Sequence, residues 1–216
     1  MHSLPPVRGM ERPFPSRDER GKYPHQLHGK SKNTDCILTG MVETPLGPMV
    51  IGATSEGICL AEFSRGRMLD TQFTTLQRLF RCAIVPGDNK FLEQLRTELA
   101  KYFAGELIDF QVPLLYPGSE FQLVVWEALR LIPYGESLSY EALAHKIGRP
   151  KAVRSVGTAN GQNRIAVLIP CHRVVNKNGQ LGGYGAGLWR KKALLELEQH
   201  VTRQGSLQLP LAGLSG

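Results

Sequence analysis

Ser139-Tyr140-Glu141-Ala142-Leu143-Ala144-His145-Lys146-Ile147-Gly148-Arg149-Pro150-Lys151-Ala152-Val153-Arg154-Ser155-Val156-Gly157-Thr158-Ala159-Asn160-Gly161 spells two short helices joined by a forced turn. Ser139 with acidic Glu141 behind it suits a helix start, and Gly148-Arg149-Pro150 cannot continue the helix. The second helix runs from Lys151 to Gly161. It turns Val153, Val156 and Ala159 inward and leaves a slim surface of small side chains. Such a helix-turn-helix can enter a nucleic-acid groove or serve as a structural corner, and both readings stand on pattern alone. Arg154 accordingly reads as a phosphate contact, a base contact or a surface charge.

Directly downstream, Ile165-Ala166-Val167-Leu168-Ile169 reads as an apolar strand that breaks at Pro170 and delivers Cys171 beside His172. A thiol of ordinary pKa near 8.5 is only a few per cent thiolate at neutral pH, so a nucleophile here needs a partner to take its proton. His172 is the obvious one. Neighbours in an extended strand point to opposite faces, but the bend at Pro170 leaves room for a direct or water-mediated link. An inert buried cysteine beside a histidine is the competing reading. Gly182-Gly183-Tyr184-Gly185-Ala186-Gly187 lets backbone approach a planar ligand, and it lacks the ending of a phosphate-binding loop. The last helix, Leu188 to His200, carries Glu198, which either orients His172 or faces solvent.

Upstream, Ile37 to Phe63 alternates β-prone runs with turns, a meander of antiparallel strands. Amphipathic segments at Leu69–Phe80 and Asn89–Ala104 are expected to cover one face of that sheet. Cys59 and Cys82 lie in apolar strings and read as packing residues. After Pro113, Pro117 and Gly118, a helix from Glu120 to Leu131 carries Trp126 on a core face and stops at Ile132-Pro133-Tyr134-Gly135.

Charge is unevenly spread: residues 1–34 hold 7 Lys/Arg against 3 Asp/Glu, residues 35–120 hold 7 against 11, and residues 121–200 hold 11 against 5. Any polyanion contact therefore belongs to the C-terminal half. Residues 1–34 are too poor in apolar side chains to bury a core and read as a disordered basic arm. The expected organisation is that arm, an N-terminal unit over 35–118, a C-terminal unit over 119–202 and a flexible tail over 203–216. Four cysteines without CxxC spacing argue against a disulfide framework or zinc knuckle, and His25, His28 and Cys36 make no convincing metal set. No run is long enough to span a membrane and no signal peptide opens the chain, so the expected location is the cytoplasm.

Taken together, Trp126, Pro133-Tyr134-Gly135-Glu136, Ser139-Tyr140, Pro150 to Gly157, Asn163, Ile169-Pro170-Cys171-His172-Arg173-Val174, Gly183-Tyr184 and Glu198 resemble the O6-alkylguanine-DNA alkyltransferase family. The match is close over the last eighty residues of the core sequence and looser over 36–120. It is most similar to the bacterial adaptive-response and constitutive types. The resemblance implies an α/β (α+β) fold: an RNase H-like antiparallel sheet with helices, then a helical, winged-helix-like domain with the helix-turn-helix. It implies single-use transfer of an alkyl group from O6-alkylguanine, and O4-alkylthymine, to Cys171. His172 would deprotonate the thiol through water with Glu198 behind it, Tyr140 would donate toward guanine N3, and Asn163 would brace the loop. Arg154 would replace the flipped base from the minor groove, with Lys151, Ser139, Tyr140, Thr158 and Asn160 as further DNA contacts. Val174, Tyr184, Gly185 and Ala166 would line the base pocket. The implied partner is alkylated double-stranded DNA, bound by a monomer with side-by-side binding left open; no cofactor and no metal are implied.

Two departures matter. Ala166 stands where some relatives carry a proline lining the alkyl pocket, and Gly185-Ala186 replaces bulkier or polar residues of others, which leaves the range of adducts open. Rival readings are a non-catalytic lesion-binding relative, disfavoured by the presence of Cys171, a transcription regulator with a sensing cysteine, and a cysteine hydrolase, for which no oxyanion hole is evident.

Overall fold

A computed structural model describes residues 36–64 and 69–207; the basic arm expected over 1–34 and the chain beyond 207 lie outside the described residues. Strands β1 (Cys36–Val42), β2 (Met49–Ala53) and β3 (Ile58–Phe63) form the expected antiparallel meander. Thr44 closes the first turn by donating its hydroxyl to Gly47 O at 2.6 Å, and Gly47 takes a φ of 100° that suits glycine. The sheet is mixed rather than wholly antiparallel. A fourth strand, β4 (Ala83–Pro86), pairs parallel to β1, giving the order β3-β2-β1-β4. Four residues on an edge, mostly exposed and ending in proline, carry no hydrophobic alternation by which a sequence could announce them.

The two amphipathic helices form as expected, α1 over Leu69–Phe80 and α2 over Lys90–Phe103, the latter capped by the Asn89 side chain on the amides of Phe91 and Leu92. They do not share a face. Leu76 of α1 joins Ile37, Cys59 and Leu60 in a small core, whereas Leu92, Leu95, Leu99 and Tyr102 of α2 join Met49, Ile51 and Phe63 in the main one. Cys59 is fully buried there, and burial pushes its thiol up to about 12, as befits a packing residue.

Helix α3 (Glu120–Arg130) opens with a capping box between Ser119 and Gln122, and Trp126 on it donates its indole N–H to Ala159 O at 2.8 Å. That bond ties α3 to the helix-turn-helix, α4 (Tyr140–Lys146) and α5 (Val153–Gly161). Two short strands absent from the sequence reading, β5 (Leu138–Ser139) and β6 (Val174–Val175), pair in parallel beneath them. The last helix, α6, spans Leu188–Leu207 and so runs past both His200 and the expected tail boundary at 203. No described helix is long and apolar enough to cross a membrane.

What joins the two halves is the free edge of β3. Ile58 accepts from Leu115 N and donates to Pro113 O, while Ala61 donates to Arg164 O and accepts from Ala166 N at 2.7 Å. An edge that would otherwise expose unpaired peptide groups is thereby closed, at Ile58 by residues 113–115 and at Ala61 by the loop that leads to Cys171. On the other side, the turn after α3 contains Gly135, whose φ of 78° favours glycine and whose added Cβ would run into the Thr202 hydroxyl of α6. Gly135→Ala is expected to lose about 1–3 kcal/mol of stability, from backbone strain and that clash together, as a lowered urea midpoint at unchanged slope.

Candidate active site

The chain between α5 and Cys171 is a turn, not the expected strand. Only Ile165 pairs with the sheet; residues 166–168 then reverse direction, with Val167 at a φ of 74°. A β-branched residue rarely adopts that conformation, so surrounding bonds must hold it. Asn163 supplies them. Its Oδ1 accepts from Ile165 N at 3.0 Å, and its Nδ2 donates to Ile169 O at 2.8 Å and lies 3.2 Å from Cys171 Sγ. The sequence suggested a strand because an apolar run bounded by proline looks the same whether it lies in a sheet or fills a buried turn.

Cys171, His172 and Arg173 form a single 3₁₀ turn, so cysteine and histidine leave it in different directions without being opposed as in a strand. His172 is fully buried and its Nε2 sits 2.8 Å from Glu198 Oε1. Glu198, also fully buried, accepts from Tyr102 Oη at 2.7 Å, Gly135 N at 3.1 Å, and Arg173 Nε and Nη2 at 2.8 and 3.0 Å. Burial alone would raise its carboxyl, but the charges and hydrogen bonds of His172 and Arg173 outweigh that and hold it well below the usual carboxylate range. Burial likewise keeps His172 below the usual imidazole range despite the pull of Glu198, so it is neutral at pH 7. With Nε2–H directed at the carboxylate, Nδ1 keeps its lone pair and has no protein partner.

The sulfur opens onto a cavity of about 580 Å³ lined among others by Tyr140, Arg154, Asn163, Ala166, Tyr184 and Gly185. Burial pushes the Cys171 thiol up to about 11, the Asn163 hydrogen bond pulling the other way. A second cation stands near: Lys191 of α6 is fully buried, donates to Val174 O at 2.6 Å, and is lowered to about 8 by burial although the cysteine pulls it up. Arg154 is exposed at the cavity rim on the outward face of α5, with Lys151 and Thr158 exposed on the same short segment. The Ser139 hydroxyl caps α4 on Ala142 N.

Two of the expected contact residues, Asn160 and Val174, are buried. Asn160 lines the cavity and its amide lies 3.4 Å from Cys171 O, so it supports the cysteine turn; it follows Ala159 inward because α5 is tied to Trp126 there. Val174 is buried beside the cavity and does not line it, its carbonyl being taken by Lys191. The sequence reading also missed Tyr102, Lys191 and Glu62. Tyr102 lies on a helix 96 residues from its partner Glu198, and Lys191 is one of three consecutive cations, Arg190, Lys191 and Lys192, near a helix start, with nothing in the sequence to set it apart. Glu62 did leave a signal, as the lone charge in the apolar run Ile58-Cys59-Leu60-Ala61-Glu62-Phe63. Among the described residues no group of three or more His, Cys, Asp or Glu is placed to hold a metal.

Residues 37–116 match the family model for the ribonuclease-like domain of 6-O-methylguanine DNA methyltransferase, and residues 120–200 match the model for its DNA-binding domain. The chain is 43% identical over 159 residues to a methylated-DNA--protein-cysteine methyltransferase of Mycobacterium leprae, covering 74% of this chain and 90% of that one. It is 38% identical over 154 residues to the inducible enzyme of that name from Bacillus subtilis, covering 71% and 86%. Among solved structures it is similar to the Mycobacterium tuberculosis OGT in complex with DNA, at 38% identity and a TM-score of 0.65 over 77% of this chain and 94% of that one. A second is the O6-methylguanine-DNA methyltransferase of Pyrococcus kodakaraensis, at 25% identity and a TM-score of 0.53 over 75% and 98%. A turn that presents a cysteine beside a buried His–Glu pair, under an exposed helix-turn-helix, thus occurs here in a chain that belongs to the 6-O-methylguanine DNA methyltransferase family.

Proposed function

We propose that this chain repairs alkylated DNA by direct reversal, moving the alkyl group of O6-alkylguanine, and of O4-alkylthymine, onto Cys171 once per molecule. The observation that carries this is one cavity shared by the Cys171 sulfur and the rim of an exposed recognition helix bearing Arg154. A base still in its stack cannot bring its O6 substituent to a buried sulfur, so the nucleotide must flip out. Arg154 takes its place in the duplex from the minor groove, and Lys151, Thr158 and the Ser139 region hold the backbone. Residues 119–202 read DNA and react and residues 35–118 brace the site, a division supported by the matches over 120–200 and 37–116; one chain holds a complete site, as suits a monomer on duplex DNA.

A thiol with a pKa near 11 is about one part in ten thousand thiolate at pH 7, so the proton must leave as the reaction proceeds. His172 Nδ1 takes it, directly or through a water, and Glu198 stabilises the imidazolium that results. The thiolate attacks the alkyl carbon from the side opposite O6. A sulfur–carbon bond forms, the carbon–O6 bond breaks, and the electron pair stays on guanine, which takes up a proton and leaves. Tyr140, on the cavity wall, donates toward N3 of the departing base. Lys191 favours the transient negative charge on sulfur. The product is a thioether, and no group in the cavity is equipped to cleave it.

Incubation with a duplex oligonucleotide containing O6-methylguanine is expected to add one methyl group per protein, mapped to Cys171 by peptide mass; transfer undiminished in Cys171→Ser would sink the proposal. Arg154→Ala should slow reaction with the duplex at least tenfold more than reaction with free O6-benzylguanine. Equal losses on the two substrates would remove Arg154 from the flipping step. Glu198→Gln leaves the Arg173 guanidinium buried without its carboxylate and should cost about 3–5 kcal/mol at pH 7. Because the folded carboxyl titrates below its ordinary value of 4.5, its contribution is complete above that value and fades as pH falls below it. The gap between urea melts of the wild type and Glu198→Gln should therefore begin to narrow below about pH 5 and still be narrowing at about pH 3, and a constant gap across that range would contradict the assignment.

A further inference from the structure

Of the two carboxyls that line the reaction cavity, Glu141 is partly exposed and paired with Lys177, and the alkyl-transfer mechanism leaves the other, which is buried, unused. Glu62, on edge strand β3, is only 6% exposed yet lines the cavity alongside Cys171, Ala166, Tyr184 and Ala186. It is carried there by the backbone: Ala61 pairs with Ile165 and accepts from Ala166 N, which sets the next residue of β3 against the turn below the sulfur. One carboxyl oxygen, Oε1, accepts from Phe63 N at 3.0 Å. Arg190 of α6 lies within electrostatic reach, but its Nε and Nη1 are engaged by Leu46 O and Ala186 O. Burial lifts Glu62 to about 7, so at neutral pH it is a mixture of acid and carboxylate, each able to hydrogen-bond a hydroxyl.

A second polar atom points to a ligand in the same space. The Tyr184 hydroxyl is buried and has no hydrogen-bond partner, and Tyr184 is one of the residues that line the cavity. Buried hydroxyls without a partner are uncommon and costly, and a ligand that supplies one relieves the cost. The remaining walls near the sulfur are small, Ala166, Gly185 and Ala186, which leaves room beyond a methyl group.

We propose that Glu62, together with the Tyr184 hydroxyl, makes the alkyl end of this cavity a hydrogen-bonding one, selecting adducts that carry a hydroxyl beside the transferred carbon over alkyl chains of equal length. The substrate class is the O6-(2-hydroxyalkyl)guanines. This inference rests on the alkyl-transfer reading and deepens it: it says which groups are transferred, and Glu62 sets specificity without taking part in bond exchange.

The discriminating pair is O6-(2-hydroxyethyl)guanine and O6-n-propylguanine in the same duplex, which differ by a hydroxyl in place of a methyl. Single-turnover rate constants on both, with O6-methylguanine as reference, are to be measured for the wild type, Glu62→Gln and Glu62→Leu. The wild type is expected to prefer hydroxyethyl over propyl by about tenfold or more, the worth of a hydrogen bond in a buried site. Glu62→Leu should lower that ratio at least tenfold, and Glu62→Gln, which keeps size and hydrogen-bonding capacity, should hold it within about threefold. A ratio in Glu62→Leu within twofold of wild type, or an equal collapse in both variants, overturns the proposal while methyl transfer by the wild type leaves the parent reading intact. Absence of methyl transfer in the wild type would overturn both.

Discussion

A single buried carboxylate organises this molecule. Glu198 gathers donors from α2, from the turn after α3 and from the 3₁₀ turn of the cysteine, and each would carry an unsatisfied polar group without it. A lone carboxylate cannot be taken out of water at tolerable cost, so its burial demands that all of these partners arrive together. Positioning of the histidine is therefore a by-product of solvating a charge with protein. Burial first, and then the positive charge that Arg173 already supplies beside Glu198, keep His172 neutral and in the tautomer that leaves a free acceptor.

Around this centre the backbone is held by amides rather than by regular structure. Asn163 substitutes for the peptide partners that the turn at 165–169 lacks, and Asn160 holds the cysteine carbonyl. Both sit at or just past the end of α5. The exposed helix that carries Arg154 and the turn that carries Cys171 are thus one continuous piece, and on the proposed reading a helix docked on a duplex sets the sulfur's position with little left to adjust.

Much of this was legible in the residues, for reasons that differ by element. Helices α1, α2 and α3 announced themselves through apolar spacing and capping residues such as Asn89 and Ser119, and the meander through its turns. Cys171, His172, Asn163 and Glu198 could be named because their order along the chain is distinctive, although nothing local to Glu198 distinguishes a buried carboxylate from a solvated one. What escaped was non-local. Strand β4 exists because β1 offers it an edge, α1 and α2 are sorted to different cores by sheet packing, and Tyr102, Lys191 and Glu62 acquire meaning only from residues about fifteen to a hundred positions away. The burial of Asn160 within α5 escaped for the same reason, since a helical pattern gives a face but not the neighbour that face meets.

The long span of these contacts bears on how the protein comes into being. Tyr102 and Glu198 are 96 residues apart, and the edge of β3 is closed by Arg164 and Ala166, about as far along the chain. Contacts of such separation form late, because loop closure must precede any gain from them. During synthesis the sheet and α2 emerge first and wait, and Cys171 follows without its oriented base. Only when α6 has left the ribosome can Glu198 fold back and complete the pair. A protein whose reactive group can be spent once is in this way assembled in an order that arms it last.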